Sequence, residues 1–392
     1  MKLARGYSRL GTETSFEVLA RAGALEAAGR KIIHLEIGEP DFATPVNVRD
    51  AAKKALDDGY THYGPPAGLP AARKAVAEYV ARTRGIRVAP EETILLPGGK
   101  PVVFFAILAL IDPGDEVIYP NPGFPIYESM INYSGAVAVP VPLREENGFD
   151  FDPAEFERLL SPKTKLVILN SPANPTGGVM AEATMKRVAA ALRKRPNAMI
   201  LTDEIYSRVV YRGEHRSIMS LPGMKERCLL LDGFSKTWAM TGWRLGYGVG
   251  PKWLIDAMAR LANNDHSCVA SFSQIAAIEA LNGPQDAVTA MVAEFQRRRD
   301  VIVKGLNQLP GFSCLTPEAS FYAFPSIKGT GMKSQALADA LLDQAGVACL
   351  SGTSFGSWGE GYLRFSYANS VENIQKALAE MKRVLPKLAA SR

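Results

Sequence analysis

Residues 164–178 read TKLVILNSPANPTGG. An apolar run, LVIL, continues without the polar alternation of a half-exposed strand, then breaks at an asparagine into a loop of prolines and glycines. A strand of that kind is buried on both faces, the situation inside a parallel sheet covered by helices. The same unit recurs on either side. ETILLP (92–97) precedes the helical run PVVFFAILAL, DEVIYP (115–120) precedes PIYESMINYSG, and TKLVILN itself precedes AEATMKRVAAALRKR. NAMILTDEIY (197–206), RCLLLDGFSK (227–236) and WRLGYGVG (243–250) continue the series. Strands alternating with helices predict an α/β fold on a mostly parallel sheet, and no repeat-protein period competes with it.

A chain of 392 residues exceeds what one small core serves, so two domains are expected. The α/β rhythm predicts a large domain over 46–284. After it, DAVTAMVAEFQRRRDVIVKGLNQLP is helical, FSCLTPEASFYAFP has short strand-like pieces, and two further helical runs follow. That mixture predicts a smaller α+β domain from 285–392, completed by the N-terminal segment 1–45.

Composition excludes several classes. The 45 basic and 40 acidic residues leave a net charge of +5 with no basic stripe, so nucleic acid is not an expected partner. Four cysteines and four histidines are scattered without ligand spacing, which predicts no metal site and a reduced, intracellular chain. The N-terminus lacks the apolar core of a signal peptide. The longest apolar run, 101–111, is too short to span a bilayer. The expectation is a cytoplasmic protein with no membrane contact.

Ligands of open parallel sheets bind beyond the carboxyl ends of the strands, so the residues that follow each strand matter most. They are Gly98, Gly99 and Lys100 ahead of a helix; Phe124; Asn174; Asp203 and Tyr206; and Lys236. Each has a plain reading. Gly-Gly-Lys before Pro101 is a turn into a helix, and without Walker spacing it is no P-loop. Asn174 caps or turns a loop, Asp203 at its strand end is a helix cap or an exposed edge, Tyr206 and Phe124 pack, and Lys236 is solvated. GYGVG (246–250) lacks the glycine spacing of a dinucleotide loop. Taken together, a carboxylate and a lysine at neighbouring strand ends, beside a helix start able to take phosphate, suit pyridoxal 5'-phosphate. That cofactor needs an amine for a Schiff base and an acid against its pyridine nitrogen.

The chain resembles the class I aminotransferases of the aspartate aminotransferase superfamily, fold type I. Six ordered motifs carry the likeness: LEIGEPDFATP (35–45), YGPPAGLPAARKAV (63–76), NPTGG (174–178), DEIY (203–206), SKTWAMTGWRLGY (235–247) and GYLRFSYA (361–368). The resemblance implies a large domain with a mostly parallel seven-stranded sheet between helices, plus a smaller α+β domain. It implies that Lys236 holds the cofactor and then shuttles a proton, and that Asp203 keeps the pyridine nitrogen protonated. Tyr206 and Asn174 would donate to the phenolic oxygen and Phe124 would stack on the ring. Arg244, Ser235 and the N–H groups of Gly99 and Lys100 would bind the phosphate. Tyr63 would reach the neighbouring subunit's cofactor, which implies a homodimer with shared sites. Arg364, Gly38 and Asn174 would hold the substrate α-carboxylate. One departure stands out: many relatives carry a phosphate-binding serine three residues before the lysine, where this chain has Gly233.

The implied reaction is a ping-pong transfer of an amino group from an L-amino acid to a 2-oxo acid, with aspartate and 2-oxoglutarate as the expected pair. Alanine or aromatic donors are the nearest alternatives, and a β-lyase on the same fold is a further one. Arg260 is the only arginine in the region where some relatives place a reader of the distal carboxylate. A nicotinamide dehydrogenase is the rival outside this cofactor class.

Overall fold

In a computed structural model that describes residues 2–390, the strand–helix rhythm is realised along the middle of the chain. Helix α1 (Ser15–Ala27) and β1 (Ile33–His34) come first, then α2 (Val46–Asp57) and α3 (Pro70–Arg84). Next follow β2 (Thr93–Leu96), α4 (Lys100–Leu110), β3 (Glu116–Asn121), α5 (Ile126–Ser134), β4 (Val137–Pro142) and α6 (Pro153–Leu159). After these come β5 (Thr164–Asn170), α7 (Glu182–Arg193), β6 (Met199–Asp203), β7 (Cys228–Gly233) and β8 (Gly246–Val249). Strands β2 to β8 form one seven-stranded sheet in the order β2-β8-β7-β6-β5-β3-β4. Only β8 runs against the rest. Helices α8 (Lys252–Asp265), α9 (Ser271–Asn282) and α10 (Asp286–Leu306) lead out of it.

Strand periodicity sorts the side chains. Leu166, Ile168, Leu201, Leu229 and Leu231 pack with Val102, Tyr127 and Met258 from α4, α5 and α8. Val167, Leu169, Ile200 and Leu230 join the opposite core, with Val76 and Tyr79 of α3 and Val188 of α7. The continuous apolar run at 164–170 is therefore two interleaved faces, each covered by helices. Strand β4 lay in a stretch of sequence with no strand pattern. It is an edge strand pairing only with β3, and its Pro140 and Pro142 are tolerated there because one side needs no donor.

Beyond α10 lie β9 (Tyr322–Ala323), α11 (Ser334–Ala340), β10 (Val347–Ala348), β11 (Leu350–Ser351), β12 (Leu363–Ser366) and α12 (Val371–Ala390). β11, β12 and β9 form a small antiparallel sheet, while β10 pairs in parallel with β1. A separate core of Leu35, Phe295, Phe321, Leu341, Phe365, Tyr367 and Ile374 unites these pieces with the segment before residue 45. Among the described residues no helix is long and apolar enough to cross a membrane.

Candidate active site

The carboxyl ends of β5, β6 and β7 open on a cavity of about 500 Å³. Of the residues singled out in the sequence, Gly38, Gly99, Lys100, Phe124, Asn174, Asp203, Tyr206, Ser235, Lys236, Arg244 and Arg364 all line it. Tyr63 does not; it is 91% exposed on the surface of this chain. Gly233 does not line it either. Arg260 sits on an exposed face of α8, away from the cavity.

Asp203 ends β6 on the α5 side of the sheet. Its Oδ2 accepts the Tyr127 hydroxyl at 2.6 Å and its Oδ1 accepts the Ile205 N–H at 3.1 Å. Burial pushes this carboxyl up to about 7, and the fields of Asp232 and Glu204 add to the rise. Lys236 follows β7 by three residues and donates to the Gly38 carbonyl. It has no carboxylate partner among the described residues, and burial draws its amine down to about 8. An amine at that value is a usable nucleophile and base near neutral pH.

Helix α4 opens at Gly99 and Lys100 with Pro101 in its first turn, so its first N–H groups are free of helical partners. The Arg244 guanidinium lies over that turn, donating to the carbonyls of Thr241 (2.7 Å) and Pro97 (3.4 Å) with no carboxylate beside it. Gly98 makes this approach possible: at φ +101° a Cβ there would stand 2.4 Å from Arg244 Nη2. Helix N–H groups, an unpaired guanidinium and the Ser235 hydroxyl together make an anion cup.

At the other end, Arg364 of β12 is buried between the rings of Tyr322 and Phe355, its Cζ 4.4 and 4.8 Å from their centroids. It donates to Asn174 Oδ1 at 3.2 Å and to the Glu36 carbonyl, while its Nε has no partner. The Tyr206 and Tyr322 hydroxyls share a 2.8 Å hydrogen bond. A Cβ on Gly38 would overlap the Tyr322 hydroxyl, which accounts for glycine there.

Several lining residues escaped the reading of the sequence. Tyr127 lies one helical turn past Phe124, and Asn170 closes β5, so their spacing from recognised residues was the available signal. Tyr322, Phe355, Phe16 and Glu13 come from remote segments, and nothing local marks them. Glu13 forms an ion pair with the Lys100 ammonium, which lies 5.8 Å from the ring centroids of both Phe16 and Phe124. The sequence placed Lys100 here for its backbone N–H; its side chain adds a cation at the cavity wall.

Comparison with known proteins places nearly the whole chain beside aminotransferases. The family described as aminotransferase class I and II matches residues 30–381. The aspartate aminotransferase of Pyrococcus horikoshii is 41% identical over 372 residues, covering 94% of this chain and 93% of that protein. The aromatic-amino-acid aminotransferase 2 of Thermococcus litoralis is 39% identical, covering 90% of this chain and 92% of that one. The structure of Thermus thermophilus aspartate aminotransferase with maleate superposes with a TM-score of 0.93 at 38% identity, covering 98% of this chain and all of that one.

Proposed function

This chain belongs to the class I and II aminotransferase family, and from that premise we propose that it uses pyridoxal 5'-phosphate to move the amino group of L-aspartate to 2-oxoglutarate. The residues fit that cofactor. An anion cup, an uncompensated buried amine and a buried carboxyl surround one cavity, and Gly98 leaves the Arg244 guanidinium room beside the cup. When bound, the cofactor supplies an aldehyde that condenses with amines and a protonated ring that accepts the electron pair of the substrate Cα–H bond.

The chain's own groups do the rest. Arg244, Ser235 and the N–H groups of Gly99 and Lys100 hold the phosphate. Asp203 holds a proton on the ring nitrogen, Tyr206 and Asn174 donate to the phenolic oxygen, and Phe124 covers the ring. Lys236 would form the covalent attachment, and once released its Nζ would take the proton from Cα and return it to the cofactor's former aldehyde carbon, on the far side of the nitrogen. Arg364 and Asn174 grip the α-carboxylate, the planar guanidinium fork suiting a two-point contact. The same groups serve donor and acceptor in turn, which gives ping-pong kinetics. A homodimer with shared sites fits the exposed ring of Tyr63.

The observation that favours a dicarboxylate donor is Lys100. Beyond Lys236, Arg244 and Arg364, which the cofactor and the α-carboxylate engage, the cavity is lined by a fourth cation, Lys100. Its ion pair among the described residues is with Glu13 and is exchangeable for the distal carboxylate of a substrate. The neighbour solved with maleate, a four-carbon dicarboxylate, supports the same reading. K100A is expected to raise the aspartate KM by about tenfold or more while leaving phenylalanine and alanine within about threefold. Equal loss for all donors, or faster turnover of phenylalanine than aspartate by the parent enzyme, would move the assignment to aromatic or neutral amino acids. A purified protein that gains no visible absorption band on adding pyridoxal phosphate would end the reading altogether.

A further inference from the structure

Behind Asp203, on the other face of the sheet, lies a buried ionic cluster. The alternation that turns Asp203 toward α5 turns its neighbour Glu204 toward α3, and Asp232 of β7 faces the same way. Between these two carboxylates stands Arg84, the last residue of α3, with its side chain 2% exposed. Its Nε donates to Glu204 Oε2 at 3.0 Å, its Nη2 to Asp232 Oδ2 at 2.8 Å, and its Nη1 to Thr83 Oγ1 at 2.8 Å. Every other oxygen of the pair is engaged. Glu204 accepts from Thr202 and Ser217 and meets His215 Nε2 at 2.7 Å; Asp232 accepts from Ser207 and from the Gly233 N–H.

An arrangement of this kind is costly to bury, and as a stabilising device it would be a poor substitute for apolar packing. Its location supplies a reason for keeping it. Glu204 directly follows the acid at the end of β6, and Asp232 lies four residues before Lys236 on β7. One rigid guanidinium fork therefore ties together the two strand ends that carry the acid and the amine. It also places one positive charge among carboxylates that, with Asp203, number three.

We propose that Arg84 is a positioning residue for the reaction: it fixes the spacing of the β6 and β7 ends, and its charge makes the proton shared by Asp203 and the cofactor's ring nitrogen rest on nitrogen. The electrostatic part follows from direction. A proton moved from the ring nitrogen onto Asp203 comes nearer to Glu204 and Asp232, which attract it, and nearer to Arg84, which repels it. Without Arg84, Asp232 loses its cation and Glu204 keeps only the His215 ring beside it, so the pair draws the proton onto Asp203 more strongly and the ring loses capacity to accept electrons.

This inference rests on the cofactor reading above, so the test separates the two. Wild type, R84M, R84K and the double variant R84M/E204Q are loaded with ring-15N-labelled pyridoxal phosphate, and the nitrogen resonance is recorded beside steady-state kinetics. A wild type that takes up no cofactor refutes the function and this inference with it, whereas the variants below judge Arg84 alone. With cofactor bound, R84M is expected to show a resonance moved toward unprotonated pyridine and a kcat about 100-fold lower. The aspartate KM should stay within about threefold, since the carboxylate clamp lies on the other side of the cavity. R84K keeps the charge but not the fork, so the wild-type resonance should persist with a reduced kcat. R84M/E204Q restores the charge count and should recover the resonance. A wild-type resonance in R84M overturns the proposal. So does a displaced one in R84K or in the double variant, and these two still decide the matter if R84M does not fold.

Discussion

Asp203 occupies a position where its own charge is resisted. Its carboxyl is pushed up to about 7 from an ordinary 3.8, first by burial and then by Asp232 and Glu204, while Tyr127 and the Ile205 N–H hold it down. Between those two values the folded chain keeps a proton that the unfolded chain has released, so stability falls as pH rises through that window. Lys236 has the opposite sign in a separate window. Its amine is drawn from 10.5 to about 8, the native state sheds its proton first, and stability is regained as pH climbs between those values. The consequence for the cofactor-free enzyme is specific. D203N removes a group that costs stability above its unfolded pKa, and asparagine keeps two hydrogen bonds there, its Oδ1 accepting the Ile205 N–H and its Nδ2 donating to the Tyr127 oxygen. The D203N apoprotein should melt several degrees above wild type near about pH 8, with the gap closing toward about pH 4. Thermal scans across that range measure it; a gap independent of pH would mean that Asp203 is ionised in the folded chain throughout. The stability gained would come with loss of catalysis, because the same carboxyl is needed as an anion once a protonated ring lies against it.

The elements that carry the site differ in how far local sequence reveals them. Strands β2, β3, β5, β6, β7 and β8 were legible because burial on both faces leaves an apolar run that no loop resembles. β4 was not, since an edge strand tolerates the prolines that otherwise argue against pairing. Site residues at strand ends, such as Asp203, Asn174 and Lys236, could be collected by topology alone. Glu13, Tyr322 and the Arg84 cluster could not, because their meaning depends on contacts between segments far apart in the chain. Gly233 shows the same limit: read in sequence it is a missing phosphate ligand, while in the fold it is a packing requirement. It ends β7 opposite Gly246 of β8, and a Cβ at 233 would lie 3.0 Å from the Gly246 Cα and 3.3 Å from Ile205 Cδ1. Gly246 cannot retreat, for its own missing Cβ would stand 2.6 Å from the Gly98 carbonyl carbon in the turn that admits Arg244. G233S should therefore cost about 1–3 kcal/mol of stability and leave cofactor affinity no better than wild type. Denaturant unfolding and a spectral titration of the cofactor measure the two quantities. Tighter cofactor binding without loss of stability would show that the strands can part and that a serine was simply absent.

At the scale of the whole molecule, the cavity brings the two parts of the chain together. Asp203, Lys236 and the anion cup lie at strand ends of the seven-stranded sheet, while Arg364 and Tyr322 come from the small antiparallel one. One aromatic residue of the recognised set remains outside. Tyr63 stands 91% exposed ahead of α3, outside the cavity of its own chain. In the proposed twofold dimer, an isologous interface would deliver each Tyr63 to the other subunit's anion cup. The arrangement has a test that does not depend on seeing the interface. K236A subunits lack the amine, and Y63A subunits should bind the cofactor weakly, so each homodimer is impaired when cofactor is limiting. In a mixed dimer, the Y63A subunit keeps its own Lys236 and receives Tyr63 from its K236A partner, which rebuilds one complete site. Random reassociation of equal amounts should place about a quarter of all sites in that state and restore activity in proportion. If Tyr63 served its own subunit, or nothing at all, mixing would restore none.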